Sequence, residues 1–219
     1  MKYDESEQNK KGVRKRTSTD PIDPERLVRL IARAQSGEVE AFQLLYLSYA
    51  KKIFNFLFRM SGSREEAEDL AQETFILAFR KLNSLKEAVK FQGWLFRIAQ
   101  NCFYQKHRGK KPQIESIDEE GSAELSDVQK LATPGLDPEH SILSDELQEV
   151  IRVAIQELPE KYRTVFVLSA IQKLSYQQIS EIVNRSMASV KSDIHRARVA
   201  VRDKIKGYLG ENYGMSNMF

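Results

Sequence analysis

At 219 residues the chain has room for one large domain or two small ones. Its 41% hydrophobic and 30% charged content describes a soluble globular protein with strongly charged helices. A single cysteine, Cys102, excludes an internal disulfide framework and suits a reducing compartment. No apolar run approaches the roughly 20 residues needed to cross a bilayer, and the opening MKYDESEQNKKGVRKRTSTD lacks the apolar stretch of a signal peptide. The expected location is therefore cytoplasmic.

The net charge of +3 matters less than its uneven placement. Residues 1–24 read as a disordered basic arm with Lys10, Lys11, Arg14, Lys15 and Arg16, suited either to touching nucleic acid or simply to solubility. Asp23-Pro24 is a helix start, with aspartate as the cap and proline at the first helical position. The helix it opens carries Leu27, Leu30, Ile31 and Ala34 on one face and stops at Ser36-Gly37. A second helix, from about Glu38 to Met60, bears an aromatic stripe (Phe42, Tyr46, Tyr49, Phe54, Phe58) that reads as a domain core.

Ser61-Gly62 breaks the chain, and Ser63 with Glu66 forms a capping box for a helix reaching about Leu82. A short loop follows, and FQGWLFRIAQNCFYQKHR, from Phe91 to Arg108, reads as the fourth helix. No acidic residue occurs between Glu87 and Glu115, whereas Lys90, Arg97, Lys106, Arg108, Lys110 and Lys111 do. Four such helices make a self-sufficient bundle over residues 25–111.

Periodicity fades over residues 112–137, where Glu115, Asp118, Glu119, Glu120, Glu124, Asp127 and Asp137 face a single Lys130; this is an acidic linker. Asp137-Pro138 repeats the earlier start signal and opens a helix to about Glu157, and Leu158-Pro159 opens another with Tyr162, Val165, Phe166, Leu168 and Ile171 inward. Leu174 to Lys206 then reads as a helix-turn-helix. Ser175 with Gln178 is a capping box, Asn184 tolerates the left-handed turn, and Ser186 caps a helix lined by Val190, Ile194, Ala197 and Val201. Its other faces carry Arg185, Lys191, His195, Arg196, Arg198, Arg202, Lys204 and Lys206 against only Asp193 and Asp203, a cationic surface fit for a major groove. Residues 208–219 read as a fraying tail. The fold class expected is all-α, two small helical bundle domains joined by a flexible acidic linker, with the C-terminal bundle (138–207) a helix-turn-helix.

Two constellations stand out besides that hairpin. In DLAQETF, Leu70, Ala71 and Phe75 point inward, which groups Asp69, Gln72 and Glu73 outside; they suit an arginine-rich partner helix or plain solvation. The fourth helix mixes Phe91, Trp94, Phe96, Phe103 and Tyr104 with Arg97, Lys106 and Arg108, the makings of a platform for single-stranded DNA, although some of those rings must be core. Arg97, Gln100, Asn101 and Gln105 are the expected exposed positions, and Asn and Gln can read base edges.

DLAQETF, WLFRIAQN, the acidic linker, LPEKYRTVF and SYQQISEIVNRSMASVKSDIHRAR together resemble the extracytoplasmic-function (ECF) group of bacterial sigma-70 family sigma factors, over about residues 25–207. The resemblance implies sigma regions two and four on the two bundles. It implies that Asp69, Gln72 and Glu73 dock on the beta-prime clamp helices of core RNA polymerase, with region four meeting the beta flap. Lys90, Arg97, Gln100, Asn101, Gln105, Lys106 and Arg108 then face the minus-ten element, where the loop from Ser84 to Lys90 holds a flipped base. Arg185, Ser189, Lys191, Ser192, His195, Arg196 and Arg198 face the minus-thirty-five element. The linker either threads the RNA exit path as an RNA mimic or merely tethers.

The resemblance also implies an anti-sigma partner and a role in a stress or envelope response. Gln105, Ala188 with Ser189, and Asp193 depart from the residues frequent in the group; at the slot of Asp193 a basic residue is common. No phosphate-binding glycine loop occurs, and His107, His140 and His195 lack metal-site spacing, so no cofactor, small-molecule substrate or catalysis is expected. The rival readings are a helix-turn-helix regulator that acts on duplex DNA without polymerase, and a helical nuclease.

Overall fold

A computed structural model of the chain describes residues 23–108 and 145–213, and these form eight α-helices with no strand among them. The expectations for the basic arm, the acidic linker and the Asp137-Pro138 start lie outside the described residues. The N-terminal bundle comprises α1 (Pro24–Gln35), α2 (Val39–Ser61), α3 (Arg64–Lys81) and α4 (Phe91–Arg108). Short 3-10 turns, Leu82–Ser84 and Ala88–Lys90, connect α3 to α4. The C-terminal bundle comprises α5 (Asp145–Gln156), α6 (Glu160–Phe166), a π-helical turn (Val167–Ile171), α7 (Tyr176–Val183) and α8 (Met187–Tyr213).

Local chemistry sets the helix ends. The Asp23 carboxylate accepts from the N–H groups of Glu25 and Arg26, and Pro24 opens α1. At Gly62, φ is +76° and its N–H closes α2 onto the Phe58 carbonyl. Ser63 Oγ accepts from Glu66 N–H at 3.3 Å, but the Glu66 carboxylate reaches His107 Nε2 at 2.7 Å, so the capping is by Ser63 and Glu66 ties α3 to α4 instead. Ser175 and Gln178 do form the reciprocal box, at 3.2 and 2.9 Å. Asn184 turns the chain at φ +50°.

α2 is the central rod. Phe42, Leu45, Ile53, Phe54, Phe56, Leu57 and Met60 are buried against α1, α3 and α4, with edge-on ring contacts such as Phe42–Phe79 and Phe56–Phe96. The same rod also carries the C-terminal bundle. Gln156 donates to the Arg59 carbonyl at 2.7 Å, Arg163 to that of Met60 at 2.7 Å, and Gln172 to that of Lys52 at 3.3 Å. One hydrophobic cluster therefore runs through both bundles, where the sequence suggests two separate cores. α8 also continues past Gly207 to Tyr213, where Tyr208 donates to Glu146 of α5 and Lys204 pairs with Glu157 just beyond that helix.

Candidate nucleic-acid interface

Three surfaces gather the polar side chains singled out by the sequence. On α3, Leu70, Ala71, Thr74 and Phe75 are buried, which leaves Asp69, Gln72 and Glu73 exposed side by side. Asp69 stands 3.8 Å from exposed Lys106 on α4, so this acidic patch borders the basic end of the next helix.

The second surface is the connection into α4. Gln35 Nε2 donates to the carbonyls of Leu82 and Leu85, both at 3.0 Å, and so fixes the loop from below. Above it lies a cleft of about 270 Å³ lined by Leu85, Lys86, Val89, Lys90, Trp94 and Arg97. Lys90 and Arg97 are exposed there. Glu87, 2.7 Å from Lys90 Nζ, holds that ammonium above its ordinary range, and Glu181 adds to the effect.

Phe91, Phe96 and Phe103 are fully buried, so the aromatic platform on α4 narrows to half-buried Trp94 and Tyr104, and the Tyr104 hydroxyl is engaged with Thr164 at 2.8 Å. Asn101 and Gln105 are half-buried. Gln100, expected outside, is only 9% exposed. On the same stripe of α4, Gly93 faces Ile182 and Tyr104 meets Thr164, both of the C-terminal bundle. The side chain of Arg108 lies outside the described residues.

The third surface is the outer face of α8. Val190, Ile194, Ala197 and Val201 are buried, while Lys191, Ser192, His195 and Arg196 are exposed together. Arg198 is exposed but donates to Ser169 Oγ at 3.2 Å. Arg185 and Ser189 are half-buried and bonded to each other at 2.6 Å. Asp193, at the slot where the group commonly carries a basic residue, is 3% exposed and ion-paired to Arg185.

Two contributions were invisible in the sequence. Gln178, Glu181 and Ile182 of α7 line the far wall of the cleft above the loop. Lys161 and Tyr162 of α6 flank α8, with the Tyr162 hydroxyl 3.5 Å from Arg196. That guanidinium, with Lys161 beside the ring, draws the Tyr162 phenol below its ordinary pKa. Contacts across tens of residues carry no local pattern. Among the described residues no cluster of three His, Cys, Asp or Glu could hold a metal, and no helix is long and apolar enough to cross a membrane.

Two family models match the chain, Sigma-70 region 2 over residues 45–113 and Sigma-70, region 4 over residues 148–201. The ECF RNA polymerase sigma factor SigW of Bacillus subtilis is 39% identical over 178 residues, covering 80% of this chain and 95% of SigW. Among solved structures, CnrH in complex with the cytosolic domain of CnrY aligns with a TM-score of 0.58 at 21% identity, over 87% of this chain and 99% of CnrH. The sigma factor RpoE in complex with the anti-sigma factor NepR from Bartonella quintana aligns with a TM-score of 0.53 at 20% identity, over 83% and 95%. At such identities the two structures attest the fold.

Proposed function

Because the chain belongs to the ECF group of the sigma-70 family of RNA polymerase sigma factors, we propose a division of labour among its three surfaces. As a sigma factor it binds core RNA polymerase and directs promoter-specific initiation. In our reading Asp69, Gln72 and Glu73 dock on the clamp helices of the beta-prime subunit, while the C-terminal bundle meets the beta flap. Charge-assisted contacts from an exposed acidic face suit a basic partner helix.

Lys90, Arg97, Asn101, Gln105, Lys106 and Arg108 follow the melted minus-ten strand, and a base flipped from it enters the cleft beside Trp94. Gln100 contributes there only once the C-terminal bundle has moved off α4. Lys191, Ser192, His195, Arg196 and Arg198 face the minus-thirty-five duplex. Arg185 and Ser189 lie at the root of that helix.

The protein in this reading performs no catalysis of its own; binding of unstacked bases drives melting. It acts in the cytoplasm and is held in check by an anti-sigma partner, as the RpoE complex with NepR exemplifies for another member of the fold. The observation that carries the reading is the coincidence of two family matches, in order, with an acidic face on one bundle and a cationic helix on the other. A duplex-only regulator has no use for the acidic face.

Glu73→Ala is expected to weaken copurification with core polymerase while leaving duplex binding intact. Arg196→Ala is expected to weaken promoter binding and flatten its salt dependence by about one unit of slope. Equal losses for both variants in both assays contradict the division. Failure of the purified protein to support initiation by core enzyme on any genomic template removes it altogether.

A further inference from the structure

Asp193 is a carboxylate buried on a helix whose task is to approach polyphosphate. A buried charge persists only when it is paired, and Asp193 sits among three cations from three elements. Arg185, from the turn before α8, holds Asp193 Oδ2 and donates to Ser189 Oγ at 2.6 Å. Lys161 of α6 lies 4.0 Å and Arg196 of α8 3.9 Å from Oδ1. Arg185 is fastened by its backbone too. Its N–H donates to the Ser180 carbonyl at 3.1 Å, and its own carbonyl accepts from Ser180 Oγ at 2.6 Å. Only 31% of its side chain is exposed.

We propose that Asp193 is a specificity-determining positioning residue that withholds Arg185 from the DNA backbone. The inference rests on reading α8 as the promoter helix. Each phosphate contact strengthens binding to every sequence alike, so an arginine kept inside the protein lowers non-specific affinity without loss of base reading. The resemblance sets Arg185 against the minus-thirty-five element; the ion pair to Asp193 assigns it to the turn. Lys161 and Arg196 share the remaining oxygen at longer range, which leaves them free to face outward.

The test uses the full chain, a random-sequence duplex, and a duplex selected from the same pool by the wild-type protein, titrated by fluorescence anisotropy between about 50 and 200 mM salt. Asp193→Asn keeps the volume and releases the guanidinium. It is expected to steepen the salt slope on the random duplex by about one, so that a fourfold rise in salt weakens it roughly fourfold more than wild type, and to narrow the ratio between selected and random DNA. Arg185→Met is expected to leave the slope unchanged, and the double variant to return to the wild-type slope, which a merely structural role does not produce.

An Asp193→Asn slope equal to wild type overturns the inference, as does a slope lowered by about one in Arg185→Met. Should Asp193→Asn fail to fold by circular dichroism, the Arg185→Met slope alone decides in the same two directions. Absence of any salt-dependent duplex binding by wild type sinks the reading of α8 itself and is distinguishable from either result.

Discussion

Cys102 shows how one position reports on its surroundings. It is 1% exposed on α4, and burial, with the Glu73 carboxylate nearby, pushes its thiol up to about 12. Thiolate is the reactive species, so the native protein is expected to resist iodoacetamide at pH ~8 and to become fully alkylated in guanidinium, as read by intact mass. The linkage has a definite sign. Folding raises this pKa and so favours the protonated thiol; the contribution to stability is complete below the unfolded thiol's value and lost as pH climbs toward 12. Gln100, two residues earlier on the same helix, carries the opposite lesson. Its amide looks like a base reader in sequence, yet it is buried with Oε1 lacking a protein partner. The difference lies in what covers the stripe, and a partner face is not written into the helix it covers.

Elements were more legible than faces. Aspartate before proline at Asp23-Pro24, Ser63 ahead of Glu66, and Ser175 with Gln178 each marked a helix start, because capping is a contact within one turn. Asn184 likewise sits where the turn needs a left-handed residue. Asn184→Gly is expected to be nearly neutral, whereas Asn184→Val should cost about 1–2 kcal/mol by thermal denaturation and loosen duplex binding by tilting α8 against α7. A variant as stable as wild type with valine there shows that the turn is not constrained. What escaped the pattern depended on packing. α8 runs through Gly207 and Gly210 although glycine is a poor helix former, since Tyr208 binds α5 and Lys204 pairs with Glu157 at its end. The π-helical turn at Val167–Ile171, where the Gln172 N–H reaches back to the Val167 carbonyl, has no composition signal either. In the candidate site, the exposed triad on α3 followed from periodicity alone, because its inward neighbours are unambiguously apolar.

At the scale of the whole molecule the two bundles are joined by a shared apolar cluster and, beside it, a polar seam. Gln156, Arg163 and Gln172 donate to backbone carbonyls of α2, and Tyr104 meets Thr164. Donors aimed at carbonyls leave no trace in sequence, so the pattern alone reads the first bundle as self-sufficient. The seam also carries cost. Gln100 Oε1 and Arg163 Nε are buried without a partner, and an orphaned polar atom costs about 1–3 kcal/mol. Interfaces between domains of one chain open more readily than a single core does. α7 forms the far wall of the cleft above Lys90, with Ile182 Cγ1 4.0 Å from where a side chain on Gly93 would begin, so under the proposed function a strand must displace α7 from α4 to deliver its base there. Joining them by Gly93→Cys with Ile182→Cys tests this, since buried Cys102 stays out of the exchange. The oxidised double variant is expected to retain core-polymerase binding through the α3 face, to lose binding of a single-stranded minus-ten oligonucleotide by at least tenfold, and to regain it on reduction. Equal oligonucleotide binding by the oxidised and reduced forms shows that strand capture proceeds with α7 in place.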